Sequence, residues 1–154
     1  MYCLLVVGSD DTHDGTAPVF VHQSKWQLDM LHRYGCSVCL IDATYNTTLY
    51  GMPFFMLCVL TNSGYVVVGT FLSTDEQAAS IAAGLRIFSQ RCPAWRPKYV
   101  MSDFSEAQIS AAESVFPGNF NYTVSQTKVH LLHFADNCGK YYSVLITFVK
   151  NIPQ

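Results

Sequence analysis

Charge is what this 154-residue chain has least of. Asp, Glu, Lys and Arg make up 13% of it and hydrophobic residues 50%, which excludes a disordered, solvated polymer and favours a packed α/β core. Positive charge is in deficit, with nine basic against eleven acidic residues and a net charge of −2, so composition gives no general reason to bind nucleic acid. Long apolar runs are also missing. None approaches the ~20 residues that span a bilayer, and the short run at 1–7 has no basic flank and is too brief for a signal core. The expectation is a chain without a membrane segment, nuclear or otherwise intracellular, and not secreted. The six cysteines sit mostly inside apolar runs and read as free, buried thiols of a reducing compartment. Cys36 and Cys39 have C-x-x-C spacing, but no second pair follows and they lead into a strand, so buried thiols are the reading over zinc.

What is present is concentrated in residues 36–72. Residues 38–41 (Val, Cys, Leu, Ile) form an apolar run of β type, and Asp42 follows directly in the same predicted strand. A carboxylate at the edge of such a run loses several kcal/mol if buried unpaired, so it needs water, a hydrogen-bond donor or a cation. Two further apolar runs, 54–61 and 65–72, flank Asn62-Ser63-Gly64, a hairpin loop whose glycine can turn left-handed. The stretch predicts a three-stranded antiparallel meander carrying an acid on its first strand.

Around it, residues 1–18 read as a flexible N-terminal segment, because 9–18 cluster turn formers with Asp10, Asp11 and Asp14. The later ligand positions of a calcium loop are missing there. Residues 24–34 predict an amphipathic helix capped by Ser24, with Trp26, Met30, Leu31 and Tyr34 on its apolar face and Gly35 as its stop. Ser73 and Glu76 have capping-box spacing, which predicts a helix from 74 to about 90 with Ala78, Ile81, Ala82, Leu85 and Phe88 inward. A short strand at 98–102 ends at Asp103. Ser105 and Gln108 then open a helix with Ile109, Ala112 and Phe116 on its apolar face, stopped by Pro117-Gly118.

The crossover through the long helix lets the fourth strand lie parallel beside the first. Asp42 and Asp103 then sit side by side, and two carboxylates so close must take up a proton or share a cation. Nucleotidyl-transfer enzymes hold a pair of Mg²⁺ ions about 3.5–4 Å apart in this manner. An aspartate at a strand end also serves as a helix cap, and spacing alone does not separate the two roles.

The residues that carry this pattern also carry a resemblance. LIDATYNTTLYGMPFFMLCVLTNSGYVVVGTFL, STDEQAASIAAGL and KYVMSDFSEAQISAAESVFPG resemble the Mutator-like element (MULE) transposase domain. The run-up VHQSKWQLDMLHRYG is similar to transposase-derived proteins resembling calcium-responsive transcription factor. The match covers 19–118. It implies a ribonuclease H-like fold, a DDE triad whose first two acids fall on Asp42 and Asp103, Mg²⁺ or Mn²⁺ as cofactor, DNA as partner and a nuclear setting. Residues 119–154 depart from the family pattern, so the domain is expected to be C-terminally truncated or diverged, its tail supplying at most two strands at 128–134 and 141–149. Asp136 reads as a turn residue and Glu113 lies on a helix away from the strand ends, so the third acid is absent.

The resemblance with two acids of three implies a catalytically inactive, transposase-derived module with a structural, interaction or DNA-associated role. The alternatives are an active metal-dependent transposase completed by a missing segment, and a sequence-specific DNA-binding factor. For DNA contact the chain offers Arg86, Arg91, Arg96 and Lys98, a basic stretch free of acids for which a solvated helix end complementing the macrodipole is the reading over phosphate contact. His130 and His133, in a strand-like run, fall on opposite faces and read as packing or surface residues.

Overall fold

In the computed structural model, which describes residues 2–7, 18–44, 51–102 and 105–117, the predicted meander is the middle of a larger sheet. Strand β3 (Val38–Thr44) pairs antiparallel with β4 (Phe54–Thr61), and β4 with β5 (Gly64–Ser73). Between β4 and β5 the chain turns on Asn62-Ser63, and Gly64 takes a φ of 122° that only glycine adopts without strain. Strand β6 (Tyr99–Ser102) lies parallel to β3, as the crossover rule requires. Two strands were not legible in the sequence. β1 (Tyr2–Val7) pairs antiparallel with β2 (Val19–Ser24), and β2 with β5, giving the order β1-β2-β5-β4-β3-β6. Part of the N-terminal segment expected to be flexible is therefore an edge strand, while residues 8–17 lie outside the described residues.

Three helices pack on one face of this mixed sheet. Helix α1 (Lys25–Tyr34) begins with the Ser24 capping box: Gln27 N–H donates to Ser24 Oγ at 3.2 Å, and Ser24 N–H to Gln27 Oε1 at 2.8 Å. Leu31 is its buried anchor, whereas Trp26, expected inward, stands 58% exposed. Gly35 follows in ordinary right-handed geometry. A Cβ there would lie 2.8 Å from Cδ1 of Trp95, so the glycine is needed for close packing rather than for a left-handed cap.

Helix α2 (Ala78–Arg91) starts four residues later than expected. Ser73 is still in β5, where its N–H donates to Pro53 O, and its hydroxyl accepts from Asp75 N–H. Asp75 in turn accepts from Gln77 N–H. These local turns use the groups that would have formed the capping box. The predicted inner face holds, with Ile81, Ala82, Leu85 and Phe88 buried. Helix α3 (Glu106–Val115) is capped by Ser105, which accepts from Gln108 N–H, and Gln108 itself is buried.

The main core lies between sheet and helices. Phe55 and Phe71 stack at 4.6 Å, Phe88 meets Phe71 at 6.3 Å, and Trp95 meets Phe116 edge-on at 4.8 Å. A bulge in β5 at Val68, opposite Leu57 and Cys58, breaks the ladder. The carbonyl of Val68 accepts from the buried Gln23 amide at 2.8 Å, and that of Val67 from the Gln27 amide at 3.3 Å. The opposite face of the sheet carries a second apolar cluster of Leu40, Met56 and Cys58, with Phe54, Tyr65, Val67 and Met101 partly buried around it.

Candidate functional site

Asp42 occupies β3 one residue beyond the end of its parallel ladder. That ladder runs Val38↔Tyr99, Cys39↔Val100, Leu40↔Met101 and Ile41↔Ser102. Across the antiparallel side Asp42 faces Met56, and Leu40 faces Cys58. Directly opposed residues share a face, so the carboxylate belongs to the face of the second cluster, away from the helices. It is half-buried. Thr44, two residues on and therefore on the same face, has a buried hydroxyl with no hydrogen-bond partner among the described residues.

Asp103 lies outside the described residues, as do Asp136, His130 and His133 and the whole of 119–154. Up to that limit, β6 alternates as a strand should. Val100 joins the helix-side core and Met101 the second cluster, beside Leu40. Glu113 is exposed near the C-terminal end of α3, far along the helix from the strand ends. Among the described residues no group of three or more His, Cys, Asp or Glu could hold a metal ion. The donors that are present, a carboxylate and an unpartnered hydroxyl, are hard oxygens of the kind that suit Mg²⁺ or Mn²⁺ rather than zinc.

The C-x-x-C pair splits. Cys36 is exposed, its thiol 3.4 Å from Ala94 O. Cys39 is buried between Gly35 O and the Trp95 indole N–H, and burial pushes its thiol up to about 12, against a smaller opposing effect of that N–H. Burial also raises the Cys92 thiol. Cys36, Cys39, Cys58 and Cys92 are all free thiols. Of the basic stretch, Arg86, Arg96 and Lys98 are exposed and Arg91 is half-buried. The arginine side chains lie on α2 and the loop after it, at the end of the sheet opposite Asp42.

The family model of the zinc finger SWIM domain-containing protein 1/3 RNaseH-like domain matches residues 3–122. The chain belongs to that family. Neither a curated protein nor a solved structure matches it. The α/β mixed sheet is accordingly an RNaseH-like domain, and the match spans all nine described elements from β1 to α3. No described helix is long and apolar enough to cross a membrane.

Sequence reasoning singled out Asp42 and missed two residues beside the candidate functions. Thr44 was readable from strand alternation, which puts it on the carboxylate's side. Arg33, exposed in the last turn of α1, joins the other cations only through the tertiary fold.

Proposed function

We propose that this RNaseH-like domain derives from a MULE-like transposase and serves in this chain as a non-catalytic structural or DNA-associated module of a nuclear protein. The observation that carries the reading is the β3–β6 ladder, whose last pair, Ile41↔Ser102, immediately precedes Asp42 and Asp103 in the sequence. The resemblance to the MULE transposase domain makes Asp42 and Asp103 the first two metal ligands of a two-metal phosphoryl-transfer site. Bound Mg²⁺ or Mn²⁺ would activate an attacking oxygen and stabilise the leaving one. The non-catalytic part of the reading is supported by residues 119–154, which hold one acid, Asp136, within the turn-former sequence Asp-Asn-Cys-Gly.

The active alternative, a transposase whose third acid comes from elsewhere, has one observation in its favour. The buried Thr44 hydroxyl, two residues along β3 from Asp42, has no hydrogen-bond partner among the described residues and could accept a bond from a hydrated cation's water. A plasmid-nicking assay in Mg²⁺ and in Mn²⁺ separates the two. The expected result is no nicking above buffer for the full chain, with Asp42→Asn indistinguishable from it. Metal-dependent nicking that disappears in Asp42→Asn would overturn the non-catalytic reading, and calorimetric titration with Mn²⁺ reports whether the carboxylates bind metal at all.

A further inference from the structure

The described charges are sorted between the two ends of the sheet. At the carboxyl ends of β3, β5 and β6 lie Asp42, Asp75, Glu76 and Glu106. At the opposite end lie Arg33 in the last turn of α1, Arg91 in the last turn of α2, and Arg96 and Lys98 on the loop into β6, with Arg86 higher on the exposed side of α2. Backbone contacts bring these elements together. Lys98 N–H donates to Cys36 O, Trp95 N–H to Cys92 O, and the buried Trp95 indole N–H to Gly35 O. None of the five cations pairs with a described carboxylate, whereas Lys25, at the start of α1, pairs with Asp29 at 3.6 Å. Two are held in place: Arg96 donates to Trp95 O at 2.8 Å, and Lys98 sits 5.3 Å above the Tyr99 ring. Exposed Asp29, one turn before Arg33 on α1 and paired with Lys25, and exposed Glu113 in the last turn of α3 are the acids nearest this end, which leaves a cationic excess.

We infer that this end, built from Arg33, Arg91, Arg96 and Lys98, is a docking surface for the phosphate backbone of duplex DNA. The inference deepens the DNA-associated part of the proposed function and is independent of the acids' chemistry. Helix ends alone would explain Arg33 and Arg91, which complement the macrodipole, but not Arg96 and Lys98, which belong to no helix. The occupant is a phosphate backbone rather than an acidic protein segment because the helix side of this end lacks large exposed apolar anchors. Of the two exposed large hydrophobics among the described residues, Trp26 is at the start of α1, and Leu60, near the β4–β5 turn at this end, alternates with Met56 and Cys58 onto the sheet face away from the helices. Protein partners take most of their affinity from buried aromatic or aliphatic anchors, whereas phosphate contacts bind through charge alone and read no sequence. The acids at the far end repel DNA and orient the domain. Asp42 is four residues along β3 from Val38, about 13 Å at 3.3 Å per residue, at the other end of the strand.

The test is fluorescence anisotropy of the full chain with 20-bp duplexes of two unrelated sequences, in EDTA, between 50 and 200 mM salt. EDTA separates this result from any metal chemistry at Asp42. About four phosphate contacts predict a log–log salt slope near −3.6, a loss of affinity of about 100-fold over that range, and equal binding of both sequences. The variant Arg33→Ala/Arg96→Ala/Lys98→Ala changes exposed side chains only, and circular dichroism checks its fold. Its slope is expected to fall to about −1, while Lys25→Ala leaves the slope unchanged. Absence of binding at 50 mM salt, an unchanged slope in the triple variant, or displacement by polyglutamate as readily as by unlabelled duplex at equal charge would overturn the inference.

Discussion

Replacing Gly69 by alanine tests how the sheet holds α2. A Cβ at Gly69 would lie 2.4 Å from Cε1, 2.7 Å from Cζ and 3.1 Å from Cδ1 of Phe88, and contact becomes ordinary only at 3.4 Å. The ring must therefore retreat by about 1 Å, the difference between 2.4 and 3.4 Å. It has nowhere to go, because Phe88 is fully buried against Phe71, which is stacked on Phe55. Overpacking of this kind costs about 1–3 kcal/mol. The stiffer unfolded chain returns about 0.4–1 kcal/mol, for a net loss of roughly 1–2 kcal/mol. In a chain of this length that lowers Tm by about 2–8 °C and the urea midpoint with it, at constant m. The decisive measurement is a double-mutant cycle with Phe88→Leu, which removes the colliding ring edge. The Gly69→Ala penalty is expected to shrink by about 1 kcal/mol in that background. A wild-type Tm for Gly69→Ala, or an equal penalty in both backgrounds, refutes the steric argument.

Three further outcomes follow from the same core. Because burial raises Cys39 to about 12 while the unfolded thiol titrates near 9, the unfolded state loses its proton first. Stability present below pH ~9 should then fall by about 1.4 kcal/mol per pH unit until the folded thiol titrates, and Cys39→Ala should remove that contribution in urea melts at pH 8.5 and 10.5. Gln23→Leu strips the buried Val68 carbonyl of its donor, and a loss of about 1–3 kcal/mol is expected in chemical denaturation. Ser24→Ala removes the α1 capping box, lowering stability by about 1 kcal/mol, whereas Ser73→Ala should not fray α2, since Ser73 is not its cap; amide exchange of the first turn of each helix distinguishes them.

The central architecture was legible because its signals are local. The runs at 38–42 and 54–61 are too apolar and too short for anything but buried strands, and β4 is covered on both faces from Phe55 to Val59. Ser24 with Gln27 and Ser105 with Gln108 gave helix starts that hold to the residue. The strand pair β1–β2 was hidden because the turn-rich, acidic stretch between the two strands suggests a tail, and because residues 19–24 mix His, Gln and Ser into the apolar pattern. Gln23 is buried there only because the bulge at Val68, a tertiary feature, leaves a carbonyl for it to satisfy. Ser73-x-x-Glu76 failed as a cap for a related reason: Ser73 is claimed by the sheet, paired with Val19 of a strand the sequence did not reveal. Asp42 was found because a carboxylate at the edge of an apolar strand is conspicuous. Arg33 was not, since nothing local links it to residues 91–98.

Where any chemistry can occur follows from topology before it follows from the acids. Five of the six strands are joined by antiparallel ladders, and β3–β6 is the one parallel pair. In open α/β sheets, crevices form beyond the carboxyl ends of parallel strands, where the chain leaves toward its crossover helix. Asp42 lies at that end, and Ser102 brings the chain to it. All three described helices pack on the other face, so an acid on the face of Leu40 and Met101 is not sealed by them. The remaining cations then collect at the amino end of the same pair, where α1 and α2 finish and the loop into β6 begins. A carboxylate end and a cationic end on opposite sides of one parallel pair can be separated by mutation. If the domain binds DNA and metal, loss of one without the other is the expected outcome; variants that always lose both together would mean that the two ends form one site.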